Sequence, residues 1–146
     1  MKKKAICALG LALVLTVTLV AVYTGNMLKL EDFTWTLSTV QDQDGNVVAC
    51  GPENSFQYPG AQEVSLLCTA QGKEICFRTD AEETTGTYRQ TQQNWDGRLY
   101  ELDVKEWGWG YAVCAYTEFD TGERLPTLVM TFPKDYTLTF TGTRSK

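Results

Sequence analysis

The hydrophobic pattern of the chain changes at Tyr23. Before it, Ala5 to Tyr23 reads AICALGLALVLTVTLVAVY, nineteen residues without a charge. After it, apolar and polar residues alternate in short runs broken by Gly, Pro, Asn and Asp. A period of two is the signature of half-buried strands, and those breakers are turn formers. Phe33, Trp35 and Leu37 alternate with Thr34, Thr36 and Ser38. Further strands are expected over 47–50, 64–70, 73–79, 85–92, 98–104, 111–119, 126–132 and 136–140. In the last of them Tyr136, Leu138 and Phe140 share one face, and Thr137, Thr139 and Thr141 the other. Asp44-Gly45, Gln71-Gly72, Asp96-Gly97, Asp120-Thr121-Gly122 and Pro133-Lys134-Asp135 read as turns. Gly51 to Gln62 is the longest loop.

The predicted fold is all-β: an antiparallel meander of eight or nine strands, preceded by one N-terminal hydrophobic helix. So many short strands best hide their edges by closing, fully or partly, into a small barrel. A two-sheet sandwich is the alternative. The inward set is Phe33, Trp35, Leu37, Leu66, Phe77, Tyr88, Tyr100, Leu102, Val113, Leu128, Met130, Leu138 and Phe140. It either fills a solid core or lines a ligand cavity. In the second case Trp35, Phe77, Tyr88, Tyr100, Val113, Met130 and Phe140 are the expected ligand-contacting residues.

The first segment adds a location. As a helix, nineteen residues reach roughly 28 Å, close to the hydrocarbon thickness of a bilayer. Lys2, Lys3 and Lys4 precede it, which favours the N-terminus inside and the C-terminal domain outside. The run exceeds the usual apolar core of a signal peptide, and Val22-Tyr23-Thr24 is a poor cleavage site. Residues 1–24 are therefore expected to be a retained single-pass anchor in the cell membrane, with secretion after cleavage as the alternative. Residues 25–32 read as a juxtamembrane linker and 33–146 as the barrel domain.

Composition removes several functions. The chain has no histidine, which rules out a histidine base and the usual mixed His/Cys zinc sites. All 18 acidic residues follow Lys29, and 3 of the 13 basic ones are the leading lysines, so the exported part carries 18 acids against 10 bases, a net −8. Such a surface is a poor partner for nucleic acid. No metal site or cofactor is expected, and no convergent set of acids or nucleophiles suggests an enzyme.

Four cysteines lie outside the apolar segment. With Gln71-Gly72 as the turn, Cys68 faces Ile75 and Cys76 lies opposite Leu67 on the other face, so those two should not pair. Buried free thiols are the expectation for Cys50, Cys68, Cys76 and Cys114. Asp42-Gln43-Asp44-Gly45-Asn46 has the spacing of the front of a calcium loop but lacks its closing glutamate, and reads as a hairpin turn. Glu82-Glu83 and Glu101/Asp103 read as solvent-facing acids. Trp107-Gly108-Trp109-Gly110-Tyr111 is the most distinctive run. Its rings either plug one end of the β-structure or form an interaction loop of Trp107, Trp109 and Tyr111.

Trp35 in TWTLS, Gly86-Thr87-Tyr88 opening a middle strand, and Arg144 past the last strand resemble the lipocalin-like, calycin-type small barrels. The resemblance implies that Trp35 and Arg144 pack together to close one barrel end. It further implies a small apolar ligand held without catalysis. Phe33 stands where that family has a glycine. The expected function is thus a membrane-tethered barrel binding a small apolar molecule or lipid. The alternative is a cell-envelope protein-interaction or inhibitor module with a solid core.

Overall fold

The computed structural model describes residues 28–94 and 97–145. The expected anchor and Asp96 of the expected Asp96-Gly97 turn lie outside them. Among the described residues, no helix is long and apolar enough to cross a membrane.

Ten strands follow a 3₁₀ turn at Leu30–Asp32, with a second 3₁₀ turn at Pro52–Asn54 between β2 and β3: β1 (Phe33–Gln41), β2 (Val47–Cys50), β3 (Gln62–Glu63), β4 (Leu67–Gln71), β5 (Glu74–Arg78), β6 (Glu83–Gln93), β7 (Gly97–Val104), β8 (Gly108–Glu118), β9 (Arg124–Thr131) and β10 (Thr137–Arg144). Strands β4 to β10 form a continuous meander. It closes because β1 pairs with β4 on one side and with β10 on the other. The result is an eight-stranded antiparallel barrel, consistent with a lipocalin-like fold, with β2 and β3 as two extra strands.

Strand β1 has two parts. Its first half pairs Trp35 with Cys68 and Thr36 with Leu67 of β4. Its second half pairs Thr39 with Cys50 and Val40 with Ala49 of β2. Between them the register against β10 shifts from Leu37↔Phe140 to Thr39↔Thr139. This bulge at Ser38 reverses which side chains face inward, as an extra residue must in a period-two strand. Phe33, Trp35 and Leu37 face the core before it, and Val40 does so after it, opposite Leu138.

The β4–β5 hairpin corrects one expectation. Its closing pair is Gln71↔Glu74, so the turn is Gly72-Lys73, with Gly72 at φ +63°. A glycine in the first central position supplies the backbone a tight hairpin needs. Cys68 therefore faces Phe77, not Ile75, and Cys76 faces Thr69. The slip is two residues, so the faces are unchanged: Cys68 is buried and Cys76 is outside. All four cysteines described are free thiols.

The long connection and the turns β5–β6, β7–β8 and β9–β10 lie at one end of the barrel, the mouth. The turns β4–β5, β6–β7 and β8–β9 and the C-terminus lie at the other, where the 3₁₀ turn crosses the barrel and closes it. Of residues 25–32, expected to be linker, Leu28 and Leu30 are buried in the core. The Leu30 backbone groups are tied in. The Trp35 indole N–H donates to the Leu30 carbonyl at 3.0 Å, and the Leu30 N–H donates to the Tyr100 hydroxyl at 3.3 Å. Ser145 N–H donates to the Asp32 carbonyl at 3.0 Å, joining the two ends of the domain.

Candidate functional site

Twelve of the thirteen expected inward residues are buried in one contiguous core. Val113 is the exception. It lies outside, 46% exposed, and its inward neighbours on β8 are Ala112 and Cys114. The reason is volume. The Phe132 ring lies against Gly110, and Tyr100 from β7 sits opposite Ala112, so β8 contributes small side chains where its neighbours contribute rings. Close packing requires such alternation of large and small.

The remaining expected ligand contacts face one another. Trp35, Phe77, Tyr100, Met130 and Phe140 are almost wholly inaccessible. Phe77 and Phe140 stand 6.3 Å apart, and Tyr88 meets Tyr100 edge-on at 5.8 Å. Trp35 packs flat against the last strand because Gly142 has no side chain; a Cβ there would come within 2.7 Å of the indole. Arg144 is placed over Phe33. It is the register partner of Phe33, and its guanidinium lies 5.3 Å over the Phe33 ring, which in turn contacts Trp35 at 5.2 Å. Phe33 thus supplies the ring beneath the cation.

The closed end also holds polar groups. Arg98 points inward from β7 and is 8% exposed. One terminal nitrogen donates to the Gln90 side-chain amide oxygen Oε1 at 2.8 Å, and its Nε has no hydrogen-bond partner among the described residues. The Tyr88 hydroxyl donates to the Glu31 carboxylate at 2.8 Å. Burial, and secondarily that bond, push the Tyr88 hydroxyl well above the usual tyrosine range. Burial likewise raises Tyr100 and pushes the Cys114 thiol up to about 12. Neutral forms are therefore favoured around the closing turn.

The mouth differs. Val40, Trp107, Phe132 and Leu138 wall an apolar recess of about 290 Å³, with Tyr136, Glu106 and Asp135 on its rim. Trp107 forms its floor. It packs on Phe77 at 4.5 Å and meets Phe132 edge-on at 5.6 Å. The Trp107 backbone N–H donates to the Val104 carbonyl, and the Phe132 backbone N–H to the Tyr136 carbonyl, so both supporting turns are tight. The Gln43 side-chain amide donates to the Lys134 carbonyl at 2.6 Å and joins the β1–β2 and β9–β10 turns. In the β1–β2 turn, the Asp42 carboxylate accepts the N–H groups of Asp44 and Asn46 at 2.9 Å each. Those bonds hold Asp42 below the usual carboxylate range.

The expected aromatic loop thus divides. Trp107 turns inward, whereas Trp109 and Tyr111 face out from β8, 51% and 38% exposed and 4.6 Å apart. With Val113 they form an apolar stripe on the outer wall. Of the recess residues, the sequence marked Trp107 as a site residue and Leu138 as inward. Val40 was hidden by the bulge. Phe132 shares the parity of Leu128 and Met130, which was its one signal, and stands just past the end of β9.

Charge is unequal along the barrel axis. The mouth-side segments 42–46, 51–66, 78–83, 103–107 and 132–136 hold 10 carboxylates and 3 cations, net −7. The described closed-end segments 28–32, 72–74, 94, 97–98, 118–124 and 144–145 hold 6 carboxylates and 5 cations, net −1. Arg89 and Glu101, paired on the outer wall, complete the −8. Compared with protein-family models, curated proteins and solved structures, the chain matches none of them.

Proposed function

We propose that this protein is an exported, membrane-tethered small barrel that binds a small apolar molecule without catalysis, and that the ligand sits at the mouth rather than in the barrel axis. The observation that carries this reading is the recess of Val40, Trp107, Phe132 and Leu138, open to solvent above a core of mutually packed rings. Its volume of about 290 Å³ is at the lower edge of small-molecule sites, which run from roughly 300 Å³ upward. One ring system or a short acyl chain suits that size. The acidic surround disfavours carboxylate ligands and favours neutral or cationic ones.

The test uses residues 25–146 and the neutral dye N-phenyl-1-naphthylamine. Dye fluorescence should rise on binding. Tyr136→Ala should weaken binding while leaving circular dichroism unchanged, because Tyr136 is half exposed on the rim. No fluorescence rise, or an unchanged Tyr136→Ala titration, contradicts the reading.

A second reading, a protein-interaction module, is favoured by the exposed Trp109–Tyr111 pair. It expects that Trp109→Ser with Tyr111→Ser abolishes capture of an envelope partner. Dye binding unaffected by that double change separates the two readings.

A further inference from the structure

We propose that the barrel stands on its own membrane on the closed end, with the mouth directed away, so that ligand is taken from the aqueous side and not from the supporting bilayer. This rests on the tethered reading above.

Two independent observations point to it. The first is reach. The apolar run ends at Tyr23, and Leu28 is already buried in the closed end. The chain between them spans at most about 18 Å when fully extended. Strand β1 has nine residues; at about 3.3 Å per residue and a tilt near 40° it sets a barrel height of roughly 23 Å before the turns are added. An inverted barrel would require the tether to climb that whole height, which it cannot. The second is charge. Almost all of the net negative charge lies at the mouth, and the closed end is close to balanced. An anionic leaflet repels the first and tolerates the second.

Exposed turns at the two ends provide the test. Full-length protein is reconstituted into vesicles of phosphatidylcholine and phosphatidylglycerol that carry an acceptor dye on the lipid headgroup. A donor is attached through p-azidophenylalanine at position 120 in the β8–β9 turn or at position 44 in the β1–β2 turn. Asp120 and Asp44 are both exposed, and neither lines the recess. Energy transfer should be several-fold stronger from 120 than from 44. Positions 73 and 134 should repeat the difference if either first label disturbs folding. Equal transfer, as when the barrel lies on its Trp109–Tyr111 wall, or stronger transfer from 44, overturns the orientation while leaving the tether intact. Absence of transfer from both positions overturns the tether and the orientation with it.

Discussion

The two ends of this barrel are built from the same kinds of residue and do opposite things. At the closed end Trp35 is fully buried, its N–H is satisfied by Leu30, and its ring lies on Gly142. At the mouth Trp107 packs on Phe77 and Phe132 yet keeps one side toward an open recess. The closed end spends its aromatic surface on cohesion. The mouth leaves part of it available. What separates them is the chain crossing: Leu28 and Leu30 cover one end, whereas at the other Trp107 packs on the core beneath an open recess.

Four experiments act on that contrast. The largest effect is expected from Trp35→Ala, at about 3–5 kcal/mol of stability in urea unfolding, the usual range for a buried large aromatic. Loss comparable to that of an exposed site would break the contrast at the closed end. Gly142→Ala should cost about 1–3 kcal/mol, because the added methyl overlaps the indole. Next comes pH. Tyr88, Tyr100 and Cys114 are all raised in the folded state, so between the unfolded and folded values the native state holds protons that the unfolded state has released. Stability should therefore be intact below about pH 9 and fall as pH rises above it, by up to about 1.4 kcal/mol per pH unit for each group. Tyr88→Phe should flatten part of that fall in pH-dependent urea titrations; an unchanged slope would sink the assignment. The smallest stability effect is expected at the mouth rim. Tyr136→Ala should shift unfolding by no more than about 0.5 kcal/mol while reducing dye affinity.

The sequence revealed the faces of the strands better than their partners. In β7 the alternation of Tyr100, Leu102 and Val104 was visible, and it extends back to Arg98, whose burial that parity implies although its charge argues against it. In β8 size misled: Val113 looked like core, but the neighbouring large side chains stand against Gly110, Ala112 and Cys114. In β1 no residue type announced the bulge at Ser38, so Val40 could not be assigned inward from the sequence. Leu28 and Leu30 carried no periodicity of their own and sat beside a long apolar run, so their role in closing the barrel became visible only through their burial and the bonds of Leu30 to Trp35 and Tyr100. The candidate site was the least legible part. Its walls come from β1, β10 and two turns far apart in sequence, and only the folded barrel brings them together.

The most direct test of a filled barrel with a working mouth is a chemical-shift titration of residues 25–146 with the neutral naphthylamine dye. The account predicts saturable changes at the Trp107 indole and at Val40 and Leu138 methyl groups, with Trp35 and Met130 unmoved. Changes centred on Trp35 and Met130, or none at the mouth, would contradict it.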